Sequence, residues 1–190
     1  MKISVIESTP AVLRFKLSGA DYNLANTIRR VAANTVQSFA IDKITFYENS
    51  SPMFDEYIAH RIGLVPLNTP AKGYDEKDQI VFSLTAEGPA TVYSKELKSS
   101  DKSIKVVNDK IPLIKLAEGQ TLRLEANAIM GPGSRSAKFQ PGIITYKPLT
   151  DTDFEFYIET FGQMSPTEIL SRALNIITDN VKEIHKELKK

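Results

Sequence analysis

The sequence contains no cysteine. That absence excludes disulfides, thiolate catalysis, Cys-type zinc sites and iron–sulfur ligation together. Histidine is nearly as scarce. Only His60 and His185 occur, far apart, so neither a His-rich metal site nor any other cofactor site is expected. No apolar run approaches the roughly 18 residues of a membrane span, and the opening MKISVIESTP lacks the apolar core of a signal sequence. A soluble, cytoplasmic protein with no membrane partner is the expectation. Charge of one sign is also lacking: 24 Lys and Arg against 23 Asp and Glu leave a net charge of +1. Free-standing nucleic-acid binders carry a basic excess, so direct sequence-specific DNA binding is not expected. What remains is ordinary globular composition, with 42% apolar and 25% charged residues among 190. A chain of that length buries roughly 70% of the surface that it exposes when unfolded.

The opening third alternates between strand and helix signals. Ile3–Ile6 and Val12–Leu17 read as two strands, with Leu13, Phe15 and Leu17 alternating with Arg14 and Lys16. Ser8-Thr9-Pro10 between them predicts a hairpin turn. Asp21 is a suitable N-cap for a helix to about Thr35, whose narrow apolar stripe is Leu24, Ile28, Val31 and Thr35. Phe39–Tyr47 predicts a strand. A second helix is expected from Pro52, capped by Ser50 or Ser51, with Phe54, Ile58 and Ile62 as its buried stripe and Gly63 as its stop.

From Gln79 the texture changes. Ile80–Thr85, Thr91–Tyr93, Ser103–Val107, Ile111–Leu116 and Thr121–Ala126 are short strand-like runs separated by Gly, Pro, Asn and Asp. They suggest a β-rich unit inserted in the chain. A Gly-rich loop, Gly131–Gly142, precedes strands at Ile143–Tyr146 and Phe154–Thr160. Ser165-Pro166-Thr167-Glu168 has the pattern of a capping box with proline at the first helical position. The helix that follows should run for roughly 24 residues, about 36 Å.

Reactive constellations are scarce. The Gly131 loop is not a phosphate loop, because Lys138 is followed by Phe139 and then Pro141 rather than by a helix. A small soluble enzyme using His60 with Asp55 or Glu56 is the catalytic alternative. A lone histidine with no nucleophile nearby in sequence is more often structural, and acids in a first helical turn suit the helix dipole. The His185, Lys186, Lys189 and Lys190 group likewise complements a helix C-terminus. The best-formed features are surfaces. In the final helix Leu170, Leu174, Ile177, Val181, Ile184 and Leu188 form a heptad seam of almost three heptads, widened at its start by Ile169, Ala173 and Ile176. One reading packs this helix on its own sheet. The other has part of the seam, together with the stripe of the Asp21–Thr35 helix, meeting a second chain across a pseudo-symmetric interface. Arg29 and Arg30, beside the stripe, are candidates for docking an acidic neighbour.

Several segments taken together resemble a known family. Asn26-Thr27-Ile28-Arg29-Arg30-Val31 resembles the N-A-L-R-R helix of the alpha-type subunits of cellular RNA polymerase. The stretch from Asp55-Glu56 through Ala59-His60-Arg61 to Gly63-Leu64-Val65-Pro66-Leu67 is similar to the D-E-x-x-A-H-R-x-G-L-x-P-L signature of their archaeal and eukaryotic branch. The Gly131–Pro141 loop resembles that branch's G-x-G-x-x-H-A-K-W-x-P, with Ser136 in place of the frequent histidine and Phe139 in place of the frequent tryptophan. The chain is similar over nearly its whole length to the archaeal members of this alpha-type family. The resemblance implies an α+β fold in two parts: a sheet-plus-helices dimerisation domain from residues 1–50 and 143–190, and an inserted β-rich domain at 51–142. It implies no catalytic residues and a role in assembling the polymerase. The partners would be the smaller subunit L, through Leu24, Ile28, Val31, Leu170, Leu174, Ile177, Val181, Ile184 and Leu188, and subunits N and P and the second-largest catalytic subunit. Arg29 and Arg30 would face the large subunit, and Asp55, Glu56, His60, Arg61, Arg135, Lys138 and Phe139 would belong to other contact surfaces. Some members carry an iron–sulfur domain with clustered cysteines; a chain without cysteine can bind no such cluster.

Overall fold

A computed structural model of the chain describes residues 1–189; Lys190 of the basic terminal group lies outside the described residues. The fold is α+β, and the chain divides into two compact units, residues 1–37 with 132–190 and residues 38–131.

The first unit is a four-stranded antiparallel sheet roofed by two helices. Strand β1 (Lys2–Ser8) pairs with β2 (Val12–Ser18) as the expected hairpin. The sheet continues through β10 (Asp153–Thr160) to β9 (Gly142–Pro148). Alternation decides the faces. Leu13, Phe15 and Leu17 on β2 and Phe154, Phe156 and Ile158 on β10 are all buried on one side. Phe15 and Phe156, opposite each other in the register, stack at 4.9 Å. The polar positions between them form ion pairs on the far face: Lys16 with Asp153 at 2.7 Å, and Glu155 with both Arg14 at 2.7 Å and Lys147 at 3.1 Å.

Helix α1 (Tyr22–Asn34) starts where Asp21 accepts a hydrogen bond from the Leu24 amide at 2.7 Å. It lies against β9. The helix is rotated so that Ala25, Ile28 and Ala32 face the sheet, which leaves Leu24 and Val31 half-buried at the margin and Thr35 exposed. Helix α3 (Pro166–Glu187) is capped by Ser165, whose hydroxyl accepts from the Glu168 amide at 3.2 Å. The Glu168 carboxylate accepts from Arg172 Nε at 2.8 Å, one turn on, where a capping box would turn it back to Ser165. Ile169 and Ala173 anchor α3 over β2 and β10, and α3 packs along α1.

The second unit holds a sheet in the order β3 (Gln37–Asn49), β8 (Thr121–Pro132), β4 (Gln79–Glu87), β6 (Lys98–Ser99), with a separate pair β5 (Ala90–Tyr93) and β7 (Pro112–Leu116). β3 pairs with β8 and carries Phe39 and Ile41 into this unit's core. For that reason the contacts divide the chain before β3, at 37/38, and not at 50/51. The Gly131 loop belongs with the first unit, so the second division falls at 131/132 and not at 142/143.

Two local expectations are corrected. Helix α2 (Asp55–Gly63) begins three residues after Pro52. Asn49 holds Ser51-Pro52 in a preceding turn: its Oδ1 accepts from the Ser51 amide and hydroxyl at 3.1 and 2.6 Å, and its Nδ2 donates to the Met53 carbonyl at 2.8 Å. Phe54 becomes the cap residue and stands 70% exposed, leaving Ile58 and Ile62 as the buried stripe. The run Ser103–Val107 is not a strand. Asp101 turns the chain by accepting from the Ser103 amide at 2.7 Å, and only Val106 bridges, to Leu67.

Candidate subunit interface

In α3, Leu170 and Ile177 are half-buried and pack on the first core, and Leu174 is 37% exposed. From Thr178 to Lys189 every residue is exposed. Val181, Ile184 and Leu188 reach 60%, 62% and 80% exposure, though they continue the same apolar row. The helix thus has two parts. Its first turns are buried on the sheet by Ile169 and Ala173; its last three project with an oily seam and none of the described residues over it. Large apolar side chains left uncovered in a row mark contact surfaces. On α1, Leu24 and Val31 remain half accessible. Ile28, at 5% exposure, faces its own core.

The arginines of α1 differ in the same way. Arg29 is half-buried and donates to Asn26 Oδ1, with Nη2 at 2.9 Å and Nε at 3.3 Å. Arg30 is exposed and lines a cleft of about 430 Å³ with Asn26, Thr27, Val31, Asn34, Thr35 and Ser134. One wall of that cleft is the Gly131 loop. Gly133 approaches α1 so closely that a Cβ there would lie 2.3 Å from the Ala33 carbonyl oxygen. The Ser134 amide donates to the Asn34 carbonyl at 2.9 Å, satisfying one of the carbonyls that a helix C-terminus leaves open. The close backbone approach at Gly133 is therefore to its own helix. Phe139 is fully buried and anchors the loop. The Arg135 guanidinium and the Lys138 ammonium lie 5.5 and 5.3 Å from its ring centre, within cation–π range.

On the second unit, α2 presents Asp55, Glu56 and His60 to solvent. Asp55 accepts from Asn49 Nδ2 at 2.7 Å. Arg61 is engaged within the unit, donating through Nε to the Leu113 carbonyl at 2.9 Å and through Nη2 to that of Pro112, so it ties α2 to β7. An acid–base pair of His60 with Asp55 or Glu56 finds no support, since all three stand in open water with nothing to exclude solvent from them. The row that was not foreseen is apolar: Phe54, Tyr57 and Leu64 are 70%, 65% and 52% exposed, the two rings 6.4 Å apart. Its signal was legible, because 54, 57, 61 and 64 repeat at steps of three and four. Counting Phe54 into the step-of-four stripe of Ile58 and Ile62 puts it on the buried face, whereas as a non-helical cap residue it leaves that stripe. Among the described residues no three His, Cys, Asp or Glu side chains are gathered around one point where an ion could sit, and no helix is long and apolar enough to cross a membrane.

Comparison with known proteins agrees with a subunit built of surfaces. The model of the RNA polymerase Rpb3/RpoA insert domain matches residues 40–147. DNA-directed RNA polymerase subunit Rpo3 of Methanocaldococcus jannaschii is 42% identical over 169 residues, covering 89% of this chain and 86% of that protein. The Rpo3 subunits of Thermococcus kodakarensis and Pyrococcus furiosus are 44% and 43% identical over 156 residues, 79% of this chain. The chain spans 60% of the length of each of those two. With that identity sustained across most of its length, the chain belongs to the Rpo3 family of DNA-directed RNA polymerase subunits.

Proposed function

We propose that this chain is a non-catalytic assembly platform of an archaeal RNA polymerase, one that pairs with the smaller subunit L through α1 and α3. The unit formed by both chain ends is then the dimerisation domain, and the unit between them the inserted domain. The observation that carries the reading is the projecting end of α3, with Val181, Ile184 and Leu188 uncovered on a helix that its own sheet anchors only at the start. Such a row needs a second apolar surface. Leu24, Val31, Leu170, Leu174 and Ile177 extend it along the margins of the two helices.

The remaining surfaces are assigned to further neighbours. Arg30, beside Arg29 in the cleft of α1, docks an acidic group of the second-largest catalytic subunit. The exposed row of α2, with Asp55, Glu56 and His60 around it, and the loop carrying Arg135 and Lys138 take part in contacts with that subunit and with subunits N and P. Nucleotide addition takes place on the large subunits; this chain contributes position.

The test is co-expression with subunit L. The wild-type pair should elute as a one-to-one complex that survives high salt, because an apolar seam is not screened. Leu174→Asp should abolish the complex. Normal pairing of that variant in gel filtration would place the interface elsewhere.

A further inference from the structure

Strand β1 is exposed along its whole length, yet two of its side chains face the oily side of the sheet. The register sets Ile3 opposite Leu17 and Val5 opposite Phe15, and cross-strand partners share a face. Leu17 and Phe15 are 2% and 1% exposed, under the helices. Ile3 and Val5 remain 51% and 63% exposed. The helices explain the difference: α1 lies against β9, and α3 against β10 and β2, so that the roof stops one strand short. The outcome is an apolar strip about 7 Å long at 3.4 Å per residue, directly beside the footprint of α3.

We propose that this strip is the seat of an amphipathic helix supplied by the partner subunit, so that the pairing surface runs from the α1–α3 margins onto β1. The proposal rests on the pairing reading above and adds a second surface to it. A helix is favoured over an added strand by the edge itself. The register slips between Val5 and Glu7, and a bulge bends the edge of a sheet away from further pairing. Beyond the bulge Glu7 turns to the far face, 3.6 Å from Arg14. What stays open is a face, one strand wide, matched to a single row of side chains at helical spacing. A pseudo-symmetric partner would offer the same kind of row that this chain itself projects at Val181, Ile184 and Leu188. Each member of the pair then covers with its helix end the strand that the other leaves bare.

The lack of cysteine makes the test direct. Val5→Cys and, separately, Leu174→Cys are placed in the full chain, and the rate of thiol alkylation is measured alone and in the purified complex with subunit L. Both thiols should react freely in the isolated chain, and both should slow by about ten-fold or more in the complex, because a covered thiolate is withheld from its reagent. Protection of Leu174→Cys with Val5→Cys unchanged overturns the β1 seat and leaves the pairing reading standing. If neither thiol is protected in a complex of verified mass, both fail. Protection of Val5→Cys in the isolated chain that grows with its concentration assigns the strip to a second copy and overturns the proposal.

Discussion

Removing the projecting seam should weaken pairing without touching the fold. Consider Ile184→Ala. The change deletes three carbons, worth about 0.8 kcal/mol each when fully buried, or about 2.4 kcal/mol together. In the isolated chain 62% of Ile184 is open to solvent, so about 1.5 kcal/mol is available from a partner that covers it, roughly a twelve-fold weaker Kd. Leu188→Ala also removes three carbons, with 80% of the residue open, which makes about 1.9 kcal/mol available. The double variant should therefore lose about 3.4 kcal/mol, or roughly 300-fold, provided that the two sites act independently. Titration of subunit L by calorimetry measures this. The isolated chain should keep its urea midpoint, since alanine is a good helix former and substitutions at exposed positions change stability by less than about 0.5 kcal/mol. Unchanged affinity in the double variant would refute the reasoning. So would a loss of about 2 kcal/mol or more, on the scale of a core truncation, in the stability of the isolated chain, which would mean that the helix end is packed on its own chain.

The buried start of α3 should behave in the opposite way. Ile169→Ala, at a fully buried position, should destabilise the isolated chain by about 2–5 kcal/mol in urea unfolding. Gly133→Ala should lower stability by about 1–3 kcal/mol, because its Cβ would sit 2.3 Å from the Ala33 carbonyl oxygen and the loop would have to move off α1; thermal melts would read the change. On the far face of the first sheet, Arg14 and then Lys147, by hydrogen bonding, hold the Glu155 carboxyl below its usual range. A carboxylate whose folded pKa is depressed adds stability above its unfolded pKa, near 4.3, and loses it as the pH falls through the lower, folded value. Glu155→Gln should therefore be less stable than the wild type at pH 7 and should show a shallower loss of stability below about pH 4, followed in urea melts across that range.

Much of this protein was legible in order along the chain. The β1–β2 hairpin, the Asp21 cap, the buried Ile58 and Ile62, the Gly63 stop and the Ser165-Pro166 start of the last helix each depend on a few neighbouring residues. Such signals are local: alternation, a capping oxygen three residues from its amide, a proline where no N–H is needed. The seam from Leu170 to Leu188 was legible for the same reason, as a period.

What a period cannot say is which part of a helix its own chain covers. Leu170 and Leu188 lie on the same apolar row, yet one is half-buried on the first core and the other is 80% exposed. That difference arises because α3 meets β2, β10 and α1 over its first turns and runs on past them, a matter of where strands from the two ends of the chain come together. The same holds for Ile28, turned inward by the packing of α1, for Phe139, which anchors a loop against its own unit, and for Arg61, claimed by two carbonyls of β7 from a distant part of the chain. Local residue patterns set most of the elements and the amphipathic rows. Packing settles which rows are spent within the chain and which are left over, because burial depends on neighbours brought together from distant parts of the chain, and local patterns carry no record of them.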